Sequence, residues 1–291
     1  MNFFSIFIAL LLAFYAVSSA SHAQDETPVP EGPYVGQRPP GLTPEVFAPG
    51  IVSKEHRDLS GFFTPDMKEF YFTRKDLDSG KWWLVVFQQK DNGWHESIAM
   101  PRVGRPLIAP NGKVMHLGKH YMEQTDHGWS EIKSLGPLFE GIRIMRLSAS
   151  SKGTYILDEA GVPNGDGVIR YSRLVDGKRE VPKPLGKEIN TGKWNAHPFI
   201  APDETYIIWD GERDSGLGDG DLYISFRKPD GSWGEAIHMG DKINTSASES
   251  GASVTPDGKY LFFNRMVDRE AGNADIFWVD AQVIEDLRPK Y

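Results

Sequence analysis

The chain has 291 residues, 40% of them hydrophobic and 12% aromatic, which is enough to bury a sizeable core. It contains no cysteine, so disulfides, thiolate metal sites and attachment through a lipidated thiol are excluded. A formal net charge of −8 with no contiguous Lys/Arg stripe argues against a nucleic-acid surface, because neutralising phosphates takes clustered cations.

Residues 1–23 contain no Asp, Glu, Lys or Arg, run apolar from Phe3 to Val17 and end in Ser21-His22-Ala23. This pattern reads as a secretory signal peptide cut before Gln24. The apolar run is shorter than the roughly 20 residues a membrane span needs, so no stable span is expected after cleavage. The mature protein is expected in the periplasm or outside the cell. From Gln24 to Pro44 the chain is rich in Pro, Gly and Glu, and residues 24–44 are read as an extended leader. The folded domain is expected over 45–291.

Within it, one short phrase recurs five times between apolar runs: Thr64-Pro65-Asp66-Met67, Ala109-Pro110-Asn111-Gly112, Ser150-Ser151-Lys152-Gly153, Ala201-Pro202-Asp203-Glu204 and Thr255-Pro256-Asp257-Gly258. With Ser151 taken as the worn proline of the third copy, successive gaps are 45, 41, 51 and 54 residues. Turn chemistry repeating at roughly 40–55 residues marks a β-propeller or a related array. Proline presets the first turn position, aspartate bonds back to the backbone and glycine accepts positive φ, so each phrase joins two strands of a hairpin. Second strands follow at Phe70–Phe72, Val114–Leu117, Tyr155–Leu157, Tyr206–Trp209 and Tyr260–Phe263. Third strands follow at Trp83–Phe87, near Tyr121, and at Val168–Tyr171, Asp221–Ile224 and Asp275–Val279. A second turn class ends in Trp94, Trp129 and Trp233 and leads into an outer strand. These tryptophans are expected to wedge between neighbouring repeats rather than to serve as sugar platforms. The fifth copy has no fourth strand of its own, and residues 46–53 are its expected donor, pairing with 275–279. The expectation is an all-β, five-bladed β-propeller closed by the N-terminal strand, with a short helix from Ala281 to Leu287.

Copy four, with Asp203 and the loop from Asp210 to Asp221, and copy five, from Thr255 to Phe263, resemble the TolB-like β-propeller repeat. The resemblance covers about residues 45–291 and is weakest in copies two and three. It implies a propeller of the cell envelope or the secreted space. It carries over no catalytic residues, since such propellers host binding, scaffolding and enzymatic roles alike.

First strands of propeller blades line a central channel, so equivalent positions form rings. Five residues before each motif position stand Ser60, Arg105, Arg146, His197 and Gly251; seven before it stand Asp58, Val103, Ile144, Asn195 and Glu249. Arginine presents a planar fork of donors suited to carboxylate, sulfate or phosphate. Arg105, Arg146, His197 and Asn195 are therefore the candidate binding residues for a small anionic or saccharide ligand. Asp58 and Glu249 are expected beside them, either as ion-pair partners of the arginines or as the catalytic carboxylates of a glycoside hydrolase or polysaccharide lyase. The first reading is a binding or interaction protein, for a ligand in the funnel or another envelope protein; the enzyme is the alternative. No cofactor is expected. Asp219-Gly220-Asp221 has the oxygen-rich character calcium favours but lacks the spacing of a calcium loop. Asp221 is expected to pair with Arg213, and Asp275 with Arg265 or Arg269.

Overall fold

A computed structural model describes residues 30–91, 93–162 and 167–290 of the protein. The expected signal peptide and the first part of the leader, 24–29, lie outside the described residues. What is described is all-β with almost no helix: two four-residue helices, Pro137–Glu140 and Gln282–Glu285, and a 3-10 turn at Tyr34–Gly36.

The strands form five successive antiparallel meanders. Unit one runs Arg57–Phe63, Glu69–Lys75, Trp82–Lys90 and Gly93–Pro101. Unit two runs Pro106–Ile108, Val114–Leu117 and His120–Thr125, with Lys133–Ser134 outermost. Unit three runs Leu147–Ala149, Tyr155–Glu159, Val168–Ser172 and Lys183–Pro184. Unit four runs Trp194–Ile200, Tyr206–Glu212, Asp221–Phe226 and Ile237–His238. Unit five runs Glu249–Val254, Tyr260–Asp268 and Asn273–Asp280, and its fourth strand is Glu45–Val46, with Glu45 opposite Trp278 and Val46 opposite Phe277.

The repeated phrase builds the turn between first and second strands. In unit five the Thr255 hydroxyl donates to Asp257 at 2.6 Å, the Lys259 amide donates to the same carboxylate, and the Gly258 amide closes the turn on the Thr255 carbonyl at 2.8 Å. The fourth turn residue is left-handed in every unit: Met67, Gly112, Gly153, Glu204 and Gly258 all have positive φ. Glycine takes this conformation freely, whereas Met67 and Glu204 hold it at a steric cost.

Burial grades across each sheet. First strands such as Arg57–Phe63 and Trp194–Ile200 are buried on both faces after their first residue, while the outer Gly93–Pro101 is largely exposed. First strands lie against one another in chain order, and the first strand of unit five lies against that of unit one. The largest aromatic cluster sits at that junction, where Phe47, Phe63, Phe70, Phe262 and Trp278 pack together.

Two expectations about the N-terminus change. Only Glu45–Val46 pairs as a strand, extended by the Phe47 amide on the Ile276 carbonyl at 2.7 Å. Ala48, with φ of 42°, then turns the chain, and Ala48 O accepts amides from Ile51 and Val52. Pro49 has no N–H to continue a ladder, so the strand expected over 46–53 stops early. From Pro30 onward, moreover, the leader is docked rather than free. Val35 is buried, Tyr34 packs on Tyr260 and Trp278, and Gln37 bonds Val46 O and the Ala48 amide.

Candidate functional site

Each first strand reaches the centre through the residue five before the motif position. In units one, four and five that residue sits in a bulge, with positive φ at Ser60, His197 and Gly251. The bulge turns its amide out of the ladder and into a side chain on the second strand of the preceding unit. Ser60 N donates to Asn264 Oδ1 at 2.7 Å, His197 N to Asp158 Oδ2 at 2.9 Å and Gly251 N to Asp210 Oδ1 at 3.0 Å. Asp158, Asp210 and Asn264 are thus clamps between units. Sequence reasoning missed them, although Asp210 and Asn264 both stand eight residues after their motif proline.

Arg105 and Arg146 come from adjacent units and reach towards the same point. A Cβ on Gly251 would lie 3.5 Å from Arg105 Nη1 and 3.7 Å from Arg146 Nη1. Arg146 is wholly buried and spans units, donating from Nη1 to Ala252 O at 2.8 Å and His197 O at 3.4 Å. Burial, and then Arg105, bring its pKa down to about 10. His197 Nδ1 lies 2.9 Å from Asp210. Burial pushes the Asp210 carboxyl up, but His197, the Gly251 amide and Arg105 outweigh it and hold it below its usual range. The charges that balance the two guanidiniums at the centre are therefore Asp158 and Asp210.

Asp58 and Glu249 are not the partners of those arginines. Asp58 is bound by Arg74 Nε of its own sheet at 2.8 Å, and Glu249 by Arg265 Nε at 2.7 Å. Burial raises both carboxyls, Asp58 to about 6, against the pull of these arginines. Each also accepts an amide from four residues earlier, Lys54 N for Asp58 and Thr245 N for Glu249. Asn195 makes the mirrored bond, from Nδ2 to Thr191 O at 3.1 Å, while its Oδ1 accepts the Trp209 indole. All three side chains fasten the connection that enters their unit, which leaves them little capacity for a ligand. The placement follows from strand alternation: residues two apart on a strand share a face, but the bulge breaks that register between these positions and those two residues further on.

The loop to Asp221 also departs from expectation. Asp221 accepts amides from Leu217 and Gly218 and lies 3.5 Å from His238 Nε2, while Arg213 instead stacks on Tyr223. Arg265 is taken by Glu249, and Arg269 pairs with Asp219. Among the described residues no cluster of three or more His, Asp or Glu has metal-holding geometry.

The feature that stands out is basic. Eight residues before the motif position stand Arg57, Arg102 and Arg143 in units one to three and Trp194 in unit four. Arg57 and Arg102 lie close to Arg105, and Arg105 to Arg146, so these four gather at the end of the first strands remote from the Pro-Asp turns. None of the four has a carboxylate within 4.0 Å among the described residues, and Arg57 Nε, Arg105 Nη1 and Arg146 Nε and Nη2 are buried without a hydrogen-bond partner there. Burial, then Arg105 and Arg57, lower the Arg102 pKa to about 10, so these cations sit close enough to repel. Arg102 also lies over the Trp82 ring at 4.1 Å. The turn ends of the same first strands are the opposite in chemistry. There a cavity of about 340 Å³ is lined by Phe62, Leu107, Ala149, Phe199 and Val254, one from each unit, and by no charged residue.

No protein-family profile matches the chain, and no curated protein does. Solved structures similar to it include TolB from Acinetobacter baumannii, at a TM-score of 0.45 and 14% identity over 77% of this chain and 54% of that one. A putative TolB from Agrobacterium tumefaciens gives 0.44 and 14%, over 76% and 80%. A thermostable family-43 glycoside hydrolase gives 0.47 and 12%, over 79% and 90%. The chain spans just over half the length of the Acinetobacter protein.

Proposed function

We propose that the protein is a five-bladed propeller, closed by Glu45–Val46, which binds an anionic ligand at the arginine end of its channel and has no catalytic step of its own. Five units, first strands in cyclic contact and one cavity lined from every unit support the ring. The observation that carries the binding reading is the group of Arg57, Arg102, Arg105 and Arg146, in which Arg57 Nε, Arg105 Nη1 and Arg146 Nε and Nη2 are buried without a hydrogen-bond partner among the described residues, in a chain whose net charge is −8. Unpaired guanidiniums in a partly buried cluster repel one another, so an anion gains from all of them at once. Trp194, half-buried in the same mouth, adds an aromatic face, which makes an acidic saccharide the best-matched ligand class. A hydrolase or lyase built on Asp58 and Glu249 is disfavoured, because Arg74 and Arg265 hold those carboxylates. The first 23 residues, free of Asp, Glu, Lys and Arg, support a periplasmic or secreted setting for this binding.

Titration calorimetry with a uronic-acid trisaccharide tests the reading. Saturable binding that weakens with salt, is lost in Arg57→Ala/Arg102→Ala and is absent for a neutral trisaccharide is expected. Equal binding of the neutral sugar, or an unaffected double variant, would remove the arginine end from the site.

A further inference from the structure

Each tryptophan of the second turn class stands beside the groove between its own unit and the one before it. Trp94 lies where unit one meets unit five, Trp129 where unit two meets unit one, and Trp233 where unit four meets unit three. These grooves are related by the repeat, yet they are filled differently.

The groove at Trp94 holds a peptide, and the peptide is the chain's own. Glu31 bridges Gly93 in antiparallel fashion, and Trp94 donates its amide to Pro30 O at 2.8 Å and its indole N–H to Gly32 O at 2.7 Å. Tyr34 packs edge-on against Phe63 and Tyr260, and Val35 is 1% exposed. The segment Pro30-Glu31-Gly32-Pro33-Tyr34-Val35 is thus read by two main-chain bonds and an aromatic-aliphatic anchor, the logic of strand addition with side-chain pockets.

The groove at Trp129 lacks the donor this requires, since its indole N–H is given to Tyr71 Oη at 3.0 Å. The groove at Trp233 keeps it. Trp233 is half-buried, and its indole N–H has no protein acceptor among the described residues. Beside it lies a cavity of about 400 Å³ with Ile156, Tyr171, Leu185 and Ile200 in its walls. Arg173 and Arg227 stand at its edge, but they are paired with Glu180 at 2.7 Å and Glu204 at 3.1 Å, and Arg227 lies 4.9 Å over the Trp233 ring. The match to the groove at Trp94 is therefore in the indole donor and in the apolar walls, which suit an anchor such as Tyr34-Val35.

We propose that the groove between units three and four binds an extended peptide of a partner protein, of the type Glu-Gly-Pro-aromatic-aliphatic, in the way the groove at Trp94 binds residues 30–35. The Trp233 indole N–H donates to a peptide carbonyl, and the aromatic-aliphatic pair enters between Tyr171 and Ile200. This site is independent of the arginine end.

The probe is a fluorescein-labelled peptide of the chain's own residues 30–37, titrated into the full-length protein and followed by fluorescence anisotropy. Saturable binding is expected, with affinity falling on the order of 3–10-fold in Trp233→Phe, which keeps the ring and removes the donor. Trp129→Phe should leave the affinity unchanged. A peptide carrying Val35→Asp should not bind, a result that does not depend on how any protein variant folds. In protein labelled with 15N at tryptophan, the Trp233 indole resonance should move on titration. Absence of saturable binding, equal affinity for the Asp peptide, or indifference to Trp233→Phe overturns the proposal. So does movement of the Trp94 indole alone, which would mean that the peptide merely displaces its own copy.

Discussion

Gly251 shows how little latitude the centre allows a single residue. Its φ is +67°, and a Cβ there would meet Asn264 Nδ2 at 2.5 Å, displacing the amide that clamps Ser60. Gly251→Ala is therefore expected to cost about 1–3 kcal/mol in backbone strain alone, measurable as a lower urea midpoint with an unchanged slope. Arg146 is the complementary case. Arg146→Met would remove its bonds to Ala252 and His197 and leave Asp158 and Asp210 buried with one cation fewer, for a loss of about 3–5 kcal/mol. A variant as stable as the parent would show that these carboxylates do not need it. Asp58 adds a pH dependence. Its folded pKa of about 6 exceeds the unfolded 3.8, so the folded chain holds this proton more tightly and ionisation of Asp58 opposes folding at neutral pH. That penalty fades as pH falls through about 6 and is gone below the unfolded value. Relative to Asp58→Asn, the parent should gain up to about 3 kcal/mol between pH 7 and pH 4. A stability difference that is constant with pH would assign Asp58 an ordinary titration.

At the scale of elements, the segment from Pro30 to Gln37 acts as a strap across the junction of units one and five. Two of its residues, Tyr34 and Val35, are held left-handed, with φ of 53° and 55°. Non-glycine residues keep that conformation only where surrounding contacts over-determine it, and here Trp94, Tyr260 and Trp278 do so. Removing residues 24–44 is consequently expected to destabilise the protein by several kcal/mol, about 2–3 from Val35 burial and the Trp94 bonds together. Calorimetric melting of the truncated chain checks this. An unchanged melting temperature would make the strap a passive leader.

For the whole molecule, the question is what holds the five units together without disulfides, units one and five being joined already through the parallel pairing of Arg57 with Ala274. The clamps answer it: unit three grips unit four through Asp158, unit four grips unit five through Asp210, and unit five grips unit one through Asn264. Ser253 Oγ adds a bond to Gly61 O at 2.8 Å across the last of these junctions. Deleting residues 24–54 would strip the Glu45–Val46 pairing from the Asn273–Asp280 strand and expose its edge. We expect that protein to aggregate, whereas deletion of 24–44 should leave it weakened but monomeric by light scattering.

The repeat was legible in the chain because its turns are local chemistry. Proline, aspartate and a left-handed fourth residue act within four positions, so Pro65, Pro202 and Pro256 announce hairpins wherever the rest of the chain goes. The apolar runs flanking those turns placed the second and third strands to within a few residues for the same reason. The site was legible only in part. Equivalent positions brought Arg105 and Arg146 together, since adjacent repeats set matching residues side by side, here joined by a parallel bridge. The partners of those residues were not readable. Asp58 turned to Arg74, Glu249 to Arg265 and Arg146 to backbone carbonyls of units four and five, because which opposite charge is nearest depends on bulges and sheet packing that no spacing records. The cluster of Arg57, Arg102, Arg105 and Arg146 has the same origin: arginines scattered over 90 positions look dispersed in an acidic chain, and only the convergence of three first strands brings them together.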